Sequence, residues 1–165
     1  MGPVTEEPSM GATAQIYEAS TFQPAKAVGQ MMCRVRAAYI AALDQALAQE
    51  PAIADLEISA AQYTILNVLE QRGVDSAAQL CKDISYDGGA MTRMVDRLEA
   101  KGLVSRRRSE DDRRLINLEL TEEGRLAVPK LRACSAQVLN HLLRGFSASE
   151  VRQFEGFLAR MLQNS

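Results

Sequence analysis

The chain has 165 residues, 47% of them apolar and 5% aromatic, enough for one domain with a real core and suited to helices packed through Ala and Leu. Its net charge of −2 excludes a global attraction to nucleic acid, so any DNA binding has to come from a local basic patch. Three widely spaced cysteines, Cys33, Cys81 and Cys134, fit neither a disulfide framework nor paired zinc ligands; with no bilayer-length apolar run and no signal-peptide pattern, the expected home is a reducing cytoplasm.

Residues 1–22 read as an N-terminal extension: Met1 to about Gly11 is rich in Pro, Glu and Gly and is expected to be disordered, and Ala14 to Ala19 suits a short helix before Pro24. A single domain follows over residues 23–165. It opens with a long helix from about Ala25 to Gln49, with Met32, Val35, Ala38/Tyr39, Ala42/Leu43 and Ala46 on one apolar stripe and Pro51 marking its end. Ser59 is placed to cap a helix through Leu69, with Tyr63, Leu66 and Leu69 inward and Gly73 as its stop. A short helix over about Ser76 to Ile84 and a second over Gly88 to Lys101 then make a helix-turn-helix. Beyond Gly102, Leu103 to Arg106 reads as extended, Arg107 to Asp112 is too charged to bury, and Leu115 to Leu120 alternates as a returning strand. Thr121 caps a further long helix in which Pro129 is a candidate bend. Ser147 caps the last helix, whose apolar face carries Ala148, Val151, Phe154, Phe157/Leu158 and Met161/Leu162.

The second helix of the pair has two chemistries. Met91, Met94, Val95 and Leu98 recur at helical spacing, and Thr92, Arg93, Asp96 and Arg97 fall on the opposite side. A major groove admits such a helix, and Gly88, Gly89 and Ala90 at its start allow a close approach to phosphates. Arg93 is the best base reader there, because its planar fork can pair with guanine through two hydrogen bonds. From Arg93 to Arg114 there are eight Lys and Arg against five Asp and Glu, so the positive charge of an acidic chain is concentrated where phosphate would lie. Taken alone, such a charge run is usually a solvated hairpin, and it is the preceding helix-turn-helix that gives it meaning.

These residues also carry a resemblance. The run from Met91 through Arg93, Asp96, Arg97, Leu98 and Glu99 to Lys101, Gly102, Leu103 and Val104, followed by Asp112-Arg113-Arg114 and Leu120-Thr121-Glu122-Glu123-Gly124, resembles the MarR family of bacterial transcription regulators over roughly Gln23 to Gln163. The resemblance implies a mostly α fold: a winged helix-turn-helix over about residues 55–120 with a small β-hairpin wing, and a helical dimerisation region formed by helices at about 25–49 and 121–163. It implies that Thr92 and Arg93 face the major groove, that Arg114 reaches the minor groove from the wing, and that Asp112 holds its neighbouring arginine. A narrow minor groove, with its enhanced negative potential, favours such a cation. Arg106, Arg107, Arg108 and Arg113 are expected at phosphates or in solvent, where they position without specifying.

The apolar stripes of the terminal helices exceed what one small winged domain can cover, so the surplus is expected in a homodimer. The resemblance implies the same, and two lobes would read a near-palindrome with half-sites roughly 10 bp apart. MarR-like proteins often bind small aromatic acids or phenols in a cleft between the dimerisation helices and the DNA-binding lobe. The candidates here are Arg36, for a carboxylate, and Tyr39 and Tyr63, for a ring, although each tyrosine taken singly is more ordinary as a core residue with its hydroxyl at the rim.

Cys33 lies where some MarR-like peroxide sensors keep a thiol; Arg34 and Arg36 favour a reactive thiolate, but Met31, Met32 and Val35 speak for a core or interface cysteine. His141 is the only histidine and reads as a satisfied interface residue, which removes any site needing two. With no phosphate loop, nucleophile elbow or zinc-ligand pair, no enzyme, cofactor or metal is expected. The expected function is a cytoplasmic, homodimeric repressor released by a small aromatic or phenolic ligand. The rivals are a thiol sensor working through Cys33 and a helical protein-interaction module that does not bind DNA, the latter disfavoured by arginines on both the second helix and the wing.

Overall fold

The computed structural model describes residues 16–84, 87–108 and 116–164, and the chain divides at Ala37/Ala38 into two units. In the first, residues 16–19 are not helical. The chain turns instead: Thr21 donates its N–H to the Glu18 carbonyl at 3.1 Å, and the Tyr17 and Phe22 rings meet edge to face at 5.2 Å. A segment this short cannot repay helix nucleation, and ring packing within the turn takes its place. A single 3-10 turn, Pro24–Lys26, precedes helix α1 (Val28–Gln49), whose first N–H is accepted by the Tyr17 hydroxyl at 3.2 Å.

The second unit is organised on α2 (Ala60–Arg72), which buries Tyr63, Ile65, Leu66 and Leu69 and so has apolar side chains on more than one face. Ser59 caps α2 in a reciprocal box with Gln62, and Gly73 ends it at φ 80°, as its position predicts. Around α2 lie Leu43 and Leu47 of α1, Leu80 of α3 (Ala77–Ile84), Met91, Val95 and Leu98 of α4 (Gly88–Ala100), and Val128, Leu131 and Cys134 of α5 (Glu122–Leu142). α5 runs unbroken through Pro129.

The wing is more than a hairpin. Strands β2 (Val104–Arg108) and β3 (Ile116–Leu120) pair antiparallel, and β1 (Val74–Ser76) adds to the other edge of β3, giving the order β1-β3-β2. Three residues are too few to show the alternation that marks a strand in sequence, so β1 was not expected. It shifts the start of α3 to Ala77, with the Ser76 hydroxyl accepting the Gln79 N–H at 3.2 Å.

Gly102, at φ 69°, turns the chain from α4 into β2. Gly124 is required for a different reason. A Cβ there would lie 2.1 Å from the Leu103 carbonyl oxygen, which accepts the Thr121 N–H at 3.1 Å. The Thr121 hydroxyl completes this joint by donating to the Gly102 carbonyl at 2.6 Å and accepting from the Gly124 N–H at 3.0 Å. The Thr-Glu-Glu-Gly sequence is thus the seam between the wing and α5.

The apolar stripe of α1 is buried only in its second half. Leu43 and Leu47 are buried, but Met31, Met32 and Val35 are exposed. α6 (Ala148–Gln163) buries none of its residues, and Phe154, Phe157, Met161 and Leu162 are exposed on it. Its start is nonetheless well made: the Ser147 N–H and hydroxyl donate to Glu150 and hold that carboxyl below its usual range. No helix among the described residues is long and apolar enough to cross a membrane.

Candidate nucleic-acid interface

Helix α4 presents the two faces that its sequence implies. Met91, Val95 and Leu98 are buried, Met94 is half-buried, and Thr92, Arg93, Asp96 and Arg97 are exposed. The buried face fixes the helix against the core, which leaves the other face free to meet a ligand of helical-groove dimensions. Its N-terminus is capped by Asp87, whose carboxylate accepts the Ala90 N–H at 2.8 Å. Asp87 was missed in the sequence, although an Asp directly before a helical run is a recognised start signal.

Gly89 gives the first turn its space. A Cβ there would lie 3.2 Å from Asp87 Oδ1 and 3.6 Å from Arg93 Nη1, so the Arg93 guanidinium reaches back over the N-terminal turn. That turn is where base edges are approached in a helix-turn-helix. Thr92 donates its hydroxyl to the Gly88 carbonyl at 2.8 Å. Its proton is thereby committed, and what it can offer a base is an acceptor oxygen and a methyl group.

The strand arginines separate by parity. Paired residues of an antiparallel ladder share a face, and Arg106 is opposite Leu118 as Val104 is opposite Leu120. Arg106 therefore lies on the core side of the sheet and, near its edge, turns to α4: Nη2 is 2.6 Å from Asp96 Oδ1 and Nη1 is 2.6 Å from Glu99 Oε2. Expected at phosphate or in solvent, it instead ties β2 to α4. Arg107, on the other face, is paired with Glu119 but remains largely exposed, and Arg108 is exposed. Asp112, Arg113 and Arg114 lie outside the described residues. The structure thus brings Thr92, Arg93, Arg97 and Arg106 to one helix and its adjoining strand.

The effector candidates are placed less favourably. Tyr63 is in the core at 8% exposure, and half-buried Tyr39 has its hydroxyl 2.9 Å from the Ser135 hydroxyl of α5. Arg36 is exposed on α1. Cys33 is also exposed rather than in the core, whereas Cys134 is buried, and burial followed by the charge of Glu50 pushes its thiol pKa up. His141 is exposed, with Nδ1 3.2 Å from Arg144 Nη2.

Comparison with known proteins agrees with this geometry. Residues 58–116, which span α2 to the start of β3, match the family model described as "MarR family". The chain is 34% identical over 107 residues to the uncharacterized HTH-type transcriptional regulator YdgJ of Bacillus subtilis (strain 168), a match covering 65% of this chain and 65% of that protein, just under two thirds of its length. A cysteine-to-serine mutant of MarR from E. coli, solved in complex with operator DNA, superposes with a TM-score of 0.69 at 29% identity over 81% of this chain and 92% of that one. BpsR of Bordetella bronchiseptica, whose DNA binding is regulated by 6-hydroxynicotinic acid, shares the fold with a TM-score of 0.72 at 22% identity over 87% of this chain and 98% of its own. The buried and exposed faces of α4, the sheet that follows it, and likeness extending through the flanking helices lead to one conclusion: residues 58–116 match the MarR family, and the chain is similar in fold to solved MarR proteins.

Proposed function

We propose that the protein is a cytoplasmic, homodimeric transcription regulator that binds a near-palindromic operator as a repressor and is released by a small aromatic or phenolic ligand. The observation that carries this reading is α4 itself, anchored by Met91, Val95 and Leu98 and exposing Thr92, Arg93 and Arg97 beside an arginine-bearing strand. In this reading Thr92 and Arg93 contact bases, Arg97, Arg107 and Arg113 contact phosphates, and Arg114, held by Asp112, enters the minor groove. The E. coli protein bound to operator DNA supports the DNA partner. The exposed apolar side chains of α1 and of α6 support the dimer, since exposed apolar residues repeated along a terminal helix call for a partner.

Arg36, Tyr39 and Tyr63 are proposed at the effector cleft, and the regulation of BpsR by 6-hydroxynicotinic acid makes an aromatic acid the first class to try. Such a ligand would act by favouring a spacing of the two reading helices that no longer fits adjacent half-sites. The exposure of Cys33 gives a second reading its footing, a thiol sensor whose oxidation by peroxide takes the ligand's place.

One experiment addresses both. DNA flanking the gene is tested by mobility shift with the wild-type chain and with Arg93→Ala, alone, with aromatic acids and with peroxide. Arg93→Ala is expected to weaken specific binding by about 1–3 kcal/mol and to relax preference at one base pair of each half-site. Equal loss on specific and random DNA would reduce Arg93 to a backbone contact. Release by peroxide but not by aromatic acids, abolished in Cys33→Ser, would replace the ligand mechanism with the thiol one.

A further inference from the structure

Lys101 closes α4, and its side chain leads away from the reading face. Its ammonium donates to the carbonyls of Leu56 at 2.5 Å and Glu57 at 2.7 Å, some forty-five residues earlier in the chain. Those carbonyls end the 3-10 turn Ala54–Leu56 between α1 and α2, where Glu57 takes the left-handed conformation at φ 47°. Among the described residues Glu57 is the only non-glycine with positive φ, a conformation that needs support from its surroundings. Two carbonyls sharing one ammonium supply that support. Three residues on, the Ala60 N–H at the start of α2 donates to Asp44 Oδ1 of α1 at 2.6 Å. A short path of hydrogen bonds therefore runs from α1, through the turn before α2, to the end of the reading helix.

We propose that Lys101 is a positioning residue for DNA reading: it fixes the C-terminal end of α4 to the α1–α2 turn and so sets the angle at which Thr92 and Arg93 are presented. The proposal rests on the DNA-binding reading above. It differs from the ordinary expectation for a lysine beside a DNA-binding helix, which is a phosphate contact. A lysine has three donors, and two of these are already engaged with backbone carbonyls, so a phosphate contact would require breaking the tie. The reading residues lie about two turns away on the same rigid helix, so a small tilt at Lys101 becomes a displacement at the base edges, where contacts need close geometry.

The test uses the full chain and a duplex selected from random-sequence DNA by binding to the wild type, with a scrambled duplex of the same composition for comparison. Lys101→Met, which keeps the stem and loses the donors, is expected to bind the selected duplex about tenfold more weakly and the scrambled one within about twofold, with an unchanged salt slope. Lys101→Arg can still donate to both carbonyls and should bind within about threefold of wild type. Should Lys101→Met fail to fold, Lys101→Gln, which keeps an amide donor, replaces it, with an expected loss of about threefold on the selected duplex alone. Equal losses on both duplexes with a shallower salt slope would make Lys101 a phosphate contact, and no loss at all would deny it any positioning role; either overturns the proposal. A wild-type chain that binds neither duplex would sink the function itself, an outcome distinct from a wild type that binds and a Lys101→Met that binds equally well.

Discussion

Replacing Arg106 by Met separates two roles that a basic strand residue can play. The substitution keeps the apolar stem and removes two ion pairs, each at 2.6 Å, between side chains that are 32% exposed for Arg106, 54% for Asp96 and 41% for Glu99. Exposed pairs contribute about 0.2–1 kcal/mol each, so the fold should lose about 0.5–1.5 kcal/mol, lowering the melting midpoint by roughly 1–6 °C. The effect on DNA binding has another origin. Asp96 and Glu99 become unpaired carboxylates on or beside the reading face, and each, at about 8 Å from a phosphate, adds roughly 0.5 kcal/mol of repulsion before salt screening reduces it. With some loss of wing alignment, affinity should fall about three- to tenfold.

Fluorescence anisotropy of a labelled duplex across a salt series reads the distinction. A residue that neutralises no phosphate changes the slope of log K against log salt only by the small fraction of a unit that screening of the stranded acids contributes, whereas loss of a phosphate contact lowers it by about 0.9. Adding Asp96→Asn and Glu99→Gln to Arg106→Met should recover most of the affinity, because the stranded charges are then gone. A slope that falls by about one unit, or no recovery in the triple variant, would refute the clip and return Arg106 to the phosphates.

Gly124→Ala should destabilise the chain by about 1–3 kcal/mol, since overpacking against the Leu103 carbonyl outweighs the roughly 1 kcal/mol gain in helix propensity. A thermal melt with an unchanged or raised midpoint would show that the seam between wing and α5 yields freely. Cys134, buried and with its pKa raised, should resist a thiol-directed reagent at pH 8 until the chain unfolds, while exposed Cys33 is labelled in the native state. Equal labelling rates by mass spectrometry would contradict the burial of α5.

What the sequence disclosed was what depends on neighbours along the chain. The caps Ser59, Thr121 and Ser147 sit where their helices start, because a cap is a contact within three residues. The two faces of α4 were legible because thirteen residues hold more than three helical turns, long enough for a period to show. β1 was not legible, since its three residues are strand only through pairing with Glu119, Leu118 and Asn117 more than forty positions away. Lys101 was hidden for the same reason: its sequence context, next to the helix stop at Gly102, says nothing of Leu56 and Glu57.

Arg106 is the instructive case, because its placement was within reach. Charge alone groups Arg106, Arg107, Arg108 and Arg113, yet three of them fall on one strand, where successive side chains alternate between faces. Val104 points to the core, so Arg106 shares its side of the sheet and Arg107 does not. A cation on the core side beside a helix that exposes Asp96 and Glu99 three residues apart has a ready partner, and the pairing leaves those acids neutralised near a surface proposed to meet phosphate. Arg107, on the opposite face, is paired with Glu119 yet remains largely solvent-exposed, so it lies on the outward side of the sheet. Charge composition points to the surface proposed to meet DNA; the two-residue period of the strand decides which of its arginines hold the wing and which face outward.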